Sequence, residues 1–70
     1  MLTWKLREYS FMATENNFEA ELSDWGGGKW HVRTCTFKGE PKRANSNTEI
    51  VANLEEAKLM AEMKYKEFVG

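Results

Sequence analysis

The chain has 70 residues, 41% of them hydrophobic, 13% aromatic and 30% charged, with a formal net charge of −1. That length allows a single domain over residues 1–70 and excludes a doubly wound sheet, a barrel enzyme or two lobes around a cleft. The aromatic content excludes a disordered polyelectrolyte, and the near balance of ten basic and eleven acidic residues removes bulk attraction to nucleic acid or anionic lipid.

Residues 2–6 alternate, with Leu2, Trp4 and Leu6 set against Thr3 and Lys5. Charges interrupt this run, so it reads as neither a signal peptide nor a spanning helix. Its phase is one step off that of the next segment. It is therefore either a bulged continuation of the first strand or a separate short strand, whose free edge could add to a partner sheet.

Tyr9, Phe11 and Ala13 alternate with Ser10 and Met12; Phe18, Ala20 and Leu22 alternate with Glu19, Glu21 and Ser23. Thr14-Glu15-Asn16-Asn17 stands between them. Period-two patterns on both sides of an Asn-rich connector predict a hairpin. Pairing Ala13 with Phe18, Phe11 with Ala20 and Tyr9 with Leu22 puts all six on one face.

Gly26-Gly27-Gly28 supplies positive-φ positions for the next reversal. The following strand is Trp30 to Phe37. Pairing Asp24 with Trp30 sets Leu22 against Val32 and Ala20 against Thr34, with Glu21 opposite Arg33 on the other face. Cys35 and Phe37 are out of phase with Trp30 and Val32. A bulge near Thr34 would turn them inward; without it Phe37 is exposed.

Residues 39–49 are polar and hold the only proline, Pro41, which predicts a loop. Glu49-Ile50-Val51-Ala52 is a short strand or the return of that loop. A helix is then predicted over 53–69: Asn53 caps it, Glu56 completes a capping box, and Glu55 sits at the positive end of the dipole. At about 100° per residue, Leu54, Ala57, Ala61, Tyr65 and Phe68 share one side. Lys58–Glu62 and Glu62–Lys66 are i,i+4 pairs. The expected fold class is α+β: a three-stranded antiparallel meander, four-stranded if residues 2–6 or 49–52 add a strand, with one C-terminal helix packed on one face.

Chemistry-bearing residues are sparse. Cys35 is the single cysteine, so no intrachain disulfide forms. Cys35 and His31 do not make a zinc set, and about 13 Å of strand separates them, too far for a nucleophile and its base. Glu19 and Glu21 point out of a sheet face and are accounted for by pairing with Arg33. The triple glycine lacks phosphate-loop spacing. No catalytic residue, cofactor or metal is expected. No apolar run reaches the about 20 residues of a membrane helix, and the chain reads as cytoplasmic.

Two kinds of sticky surface remain. Leu59 and Met63, with Met60 beside them, lie opposite Leu54 on the helical wheel inside a charged rim, the pattern of a protein interface; Leu2, Trp4 and the turn residue Trp25 are further anchor candidates. The partner would be a second copy of the chain or a host protein. The rival reading interleaves aromatics and cations, Trp25, Lys29, Trp30, Arg33, Lys42 and Arg43, as single-stranded nucleic-acid binders do.

The order of two strands, a Gly28-x-Trp30-x-Val32 strand, a polar loop and a helix reading Leu54-Glu55-Glu56-Ala57-Lys58, followed by Ala61 and Glu62, resembles a type common among small uncharacterised bacteriophage proteins. The resemblance implies a small non-enzymatic accessory protein that acts by binding, on a host component. The sheet-then-helix order is also similar to the partial double-stranded-RNA-binding-like fold of HicB-type antitoxins. The first helix of a true double-stranded-RNA-binding domain is missing, and Glu55-Glu56 stands where a Lys-Lys cluster would open the last helix; both departures count against RNA.

Overall fold

A computed structural model of the chain describes residues 2–8 and 10–70. It is an α+β structure, a five-stranded antiparallel sheet in the order β1-β2-β3-β4-β5 followed by one helix. The strands are β1 (Lys5–Leu6), β2 (Ser10–Glu15), β3 (Phe18–Asp24), β4 (Trp30–Lys38) and β5 (Arg43–Val51); the helix is α1 (Leu54–Val69). The sheet thus has more strands than the three or four expected.

The first hairpin is tighter than the alternation suggests. Glu15 pairs with Phe18, Ala13 with Ala20 and Phe11 with Leu22, so the connector is only Asn16-Asn17. Asn17 takes the left-handed conformation (φ 62°), which Asn tolerates better than most side chains. The slip from the expected register is two residues, an even number, so every side chain keeps its face. Tyr9, expected opposite Leu22, lies outside the described residues.

The second hairpin follows the expected register without change: Asp24 faces Trp30, Leu22 faces Val32, Ala20 faces Thr34 and Glu21 faces Arg33. Its turn uses Gly26, Gly27 and Gly28 at φ 83°, 62° and 76°, positions an L side chain rarely adopts. No bulge interrupts β4. Pairing runs from Trp30↔Val51 through Thr34↔Asn47 to Lys38↔Arg43. Cys35 and Phe37 therefore stay on the face away from the helix, where both are half-buried.

Residues 43–51, most of which were expected to be loop, form β5. The reversal before it is confined to Gly39–Lys42. Residues 2–6 end in a separate short strand rather than a continuation of β2, with Lys5 opposite Met12 and Leu6 opposite Phe11. The segment before it turns towards α1: the Leu2 N–H donates to Glu62 Oε1 at 2.8 Å.

The core lies between the sheet and α1. Leu2, Ala13, Phe18, Ala20, Leu22, Val32, Ala57 and Ala61 are buried there, and Trp4, Phe11, Trp30, Val51, Leu54, Met60, Tyr65 and Phe68 pack around them. Phe18 is its centre, with its ring centroid 5.2 Å from Tyr65 and 6.0 Å from Phe68. The helix meets the sheet through alanines, so its backbone lies close over β3 and β4, the strands it mainly contacts. A core of this size is small, as is usual for a chain of this length.

Asn53 caps the helix as expected, its side chain accepting from the Glu56 N–H at 2.9 Å. The Glu56 carboxylate reaches back to the Ala52 N–H at 3.4 Å, one residue before the cap. Asn53→Ala is expected to lower stability by about 1 kcal/mol, the usual value of an N-cap side chain, read as a lower denaturation midpoint at unchanged m-value. The expected Lys58–Glu62 and Glu62–Lys66 pairs do not form. Glu62 is held by Leu2, and the Lys58 ammonium lies 5.5 Å from the centre of the Phe11 ring. The ion pairs among the described residues are Arg33–Glu21 at 3.3 Å and Lys64–Glu49 at 3.8 Å.

Candidate functional site

Sheet edges expose main-chain donors and acceptors that no neighbour satisfies. The two edges here differ greatly. At one, β1 is only two residues long, and the chain on its N-terminal side folds against the helix. At the other, β5 offers nine residues, about 30 Å of strand at the usual rise. It pairs with β4 on one side only. Its register is continuous and its ladder holds no proline.

The side chains of β5 explain why the sequence pattern predicts loop over residues 43–48. Arg43, Asn45, Asn47 and Glu49 alternate with Ala44, Ser46 and Thr48, so the period is two but both faces are polar. Hydrophobic periodicity is the signal that finds strands, and here it has nothing to act on. The ladder exists because β4, anchored by Trp30, Val32 and Thr34 over the core, presents a full edge for pairing. Only Ile50 and Val51 carry apolar bulk, and Val51 packs on the core. From Arg43 to Thr48 every residue is exposed.

The helix leaves the helix-side face of β5 largely open. Between that face and the C-terminal half of α1 runs a groove of 260 Å³, floored by Thr34, Thr36, Asn45 and Asn47 and walled by Lys38, Lys64, Glu67 and Phe68. The Lys38 ammonium stands 5.3 Å from the Phe68 ring centre, closing one end. Cations and amides make this groove polar, in contrast to the dry contact under Ala57 and Ala61.

Other candidate residues scatter. Leu59 and Met63 point outward and are 64% and 62% exposed. Met60 packs against the core. Leu2 is buried and Trp4 half-buried against the core, so these two side chains cover the fold's own interior and are not free anchors. Burial of these apolar side chains holds the segment against the core, and the Leu2–Glu62 hydrogen bond ties its start to the helix. Trp25 is 69% exposed, yet its ring lies flat on His31, with centroids 3.9 Å apart and planes 6° from parallel.

The basic and aromatic residues of the nucleic-acid reading do not converge. Arg33 lies on the face away from the helix, the face on which Trp25 stacks over His31. Trp30 lies on the helix side against Phe11, at 6.3 Å. Arg43 is at the far end of the ladder from Trp30, Lys29 is in the glycine turn, and Lys42 is hydrogen-bonded to Asn17 Oδ1 at 2.6 Å. Arg33 is also paired with Glu21.

Titratable clusters are equally thin. His31 and Cys35 stand apart on one strand, and Cys35 Sγ accepts from the Ser46 hydroxyl at 3.5 Å. Among the described residues no group of three or more His, Cys, Asp or Glu side chains is placed to hold a metal ion. Among the described residues no helix is long and apolar enough to cross a membrane. In comparison with known proteins, the chain matches no family model, no curated protein and no solved structure.

Proposed function

We propose that this protein is a small non-enzymatic binding module that recruits a polypeptide partner by strand addition to β5, in the accessory role its phage-like sequence pattern implies. The observation that carries the reading is the uncovered edge of β5, nine residues long. A strand laid along it gains main-chain hydrogen bonds at every second residue, and its alternate side chains fall on the polar floor beside α1. The outward pair Leu59 and Met63 is a separate and smaller surface on the opposite side of the helix.

The test is affinity capture with the folded protein as bait, followed by identification of each bound polypeptide and remeasurement with variants. Asn45→Lys with Asn47→Lys places charges along the edge, as natural edge strands do to refuse partners. This double variant is expected to keep its circular dichroism spectrum and lose the partner. Leu59→Asp with Met63→Asp is expected to keep its partner and to lose no more than about 1 kcal/mol of stability, about 0.5 kcal/mol for each exposed helix position. A partner retained by the edge variant and lost by the helix variant would move the site to α1. Failure to bind any polypeptide would remove the reading altogether.

A further inference from the structure

We infer that the strand received by β5 is β5 of a second copy, running antiparallel about a two-fold axis at Ser46, so that two five-stranded sheets become one continuous sheet. This inference rests on the reading of β5 as the docking edge and names its partner.

The sequence of β5 supplies the argument. When a strand pairs antiparallel with itself, residues equidistant from the axis face one another, which makes the contact isologous. Arg43 and Glu49 are the only formally charged residues in β5, and Ser46 lies midway between them. With the axis there, Arg43 of each copy faces Glu49 of the other, twice over. Any other centre separates them. Unlike charges directly across a ladder favour the pairing, and like charges oppose it. The positions between them suit the same register: Asn45 faces Asn47 on the helix side, while Ala44 faces Thr48 and Ser46 faces itself on the other, all of them small; Ile50 and Val51 lie beyond the paired stretch.

Space permits the approach. The helix lies mainly over β3 and β4, and Lys64, the helix residue that reaches Glu49 at 3.8 Å, stands on the helix side of the ladder and not in its plane. In the dimer Glu49 would lie between Lys64 of its own chain and Arg43 of the other. Both helices stand on the same side of the joined sheet. The two polar grooves then flank the seam across a shared floor of Asn45 and Asn47.

Sedimentation of the full chain across micromolar to hundreds of micromolar concentrations tests the proposal. Wild type is expected at twice the chain mass. Arg43→Glu and Glu49→Arg, each alone, set like charges opposite one another and are expected to weaken self-association by about tenfold or more. An equimolar mixture of the two is expected to recover the dimer, because the acidic strand of one variant meets the basic strand of the other. In a Cys35→Ser background, Ser46→Cys is expected to cross-link to a covalent dimer and Asn47→Cys is not, since only position 46 sits opposite its own copy at a separation of about 4.5–5.5 Å. Circular dichroism on each variant separates lost pairing from lost fold. A wild-type monomer throughout the range, a dimer indifferent to both charge reversals, or cross-linking at 47 in place of 46 overturns the proposal. If the chain is monomeric and yet captures another polypeptide through β5, this inference fails while the docking edge stands.

Discussion

Phe18→Ala is expected to unfold most of the protein at room temperature. Phe18 is 1% exposed and touches the helix through Tyr65 and Phe68. Truncating a buried Phe to Ala costs about 3–5 kcal/mol, and a single core in a domain of this size rarely supplies more than about 3–5 kcal/mol in total. The loss therefore equals the whole stability of a monomer. The measurement is urea denaturation followed by far-ultraviolet circular dichroism and tryptophan fluorescence. Phe18→Leu, which leaves more of the volume filled, is expected to lose less and to remain folded. A Phe18→Ala protein whose midpoint moves by the equivalent of under about 1 kcal/mol would mean that the helix does not seat on this ring.

Ala61→Leu is also expected to destabilise the protein, by overfilling the layer between helix and sheet and not by emptying it. Ala61 is 0% exposed, on the face that α1 lays on the sheet. Three added carbons have no void to enter, so the helix must lift or its neighbours leave their preferred rotamers, at about 1–3 kcal/mol. Leu is as good a helix former as most residues, so a propensity argument predicts almost no change. The two accounts are separated by a control at Leu59: Leu59→Ala removes a similar volume from an exposed site and is expected to leave the midpoint nearly unchanged. Equal small effects at 61 and 59 would show that the helix does not seat closely on the sheet through Ala61.

The legible parts of the fold are those in which burial writes a period into the sequence. Leu22 and Val32 face each other where alternation puts them, and Ala57 and Ala61 share the buried side of α1 as the helical wheel demands. The Asn53 cap was readable because its chemistry is local. The first hairpin lies two residues from the register that alternation suggests, because alternation fixes a face and not a register; the choice between a four-residue connector and Asn16-Asn17 depends on turn geometry that the pattern does not carry. Most of β5, residues 43–48, is illegible for a different reason, while its end at 49–51 falls in the segment where a short strand is one of two expectations. It is held by main-chain pairing to β4 and not by its side chains, which are polar on both faces. The candidate site is the least legible part for the same reason, since the open edge is β5 itself. Cys35 and Phe37 gave an indirect signal: apolar residues out of phase with Val32 need no bulge if the opposite face of the sheet has neighbours of its own, and Ser46 and Ala44 are those neighbours.

The order of the elements along the chain also sets the order in which surfaces are completed during synthesis. Every sheet residue of the core, from Ala13 to Val32, is made before Ala57 and Ala61, the residues that cover it. A chain growing at about 5–20 residues per second therefore carries an uncovered apolar face for seconds, until α1 has left the ribosome. The Leu2–Glu62 hydrogen bond cannot close earlier either. Stalled or prematurely ended chains lacking α1 would hold a greasy sheet with no lid, and such fragments are expected to be bound by chaperones or degraded, whereas the completed chain is not.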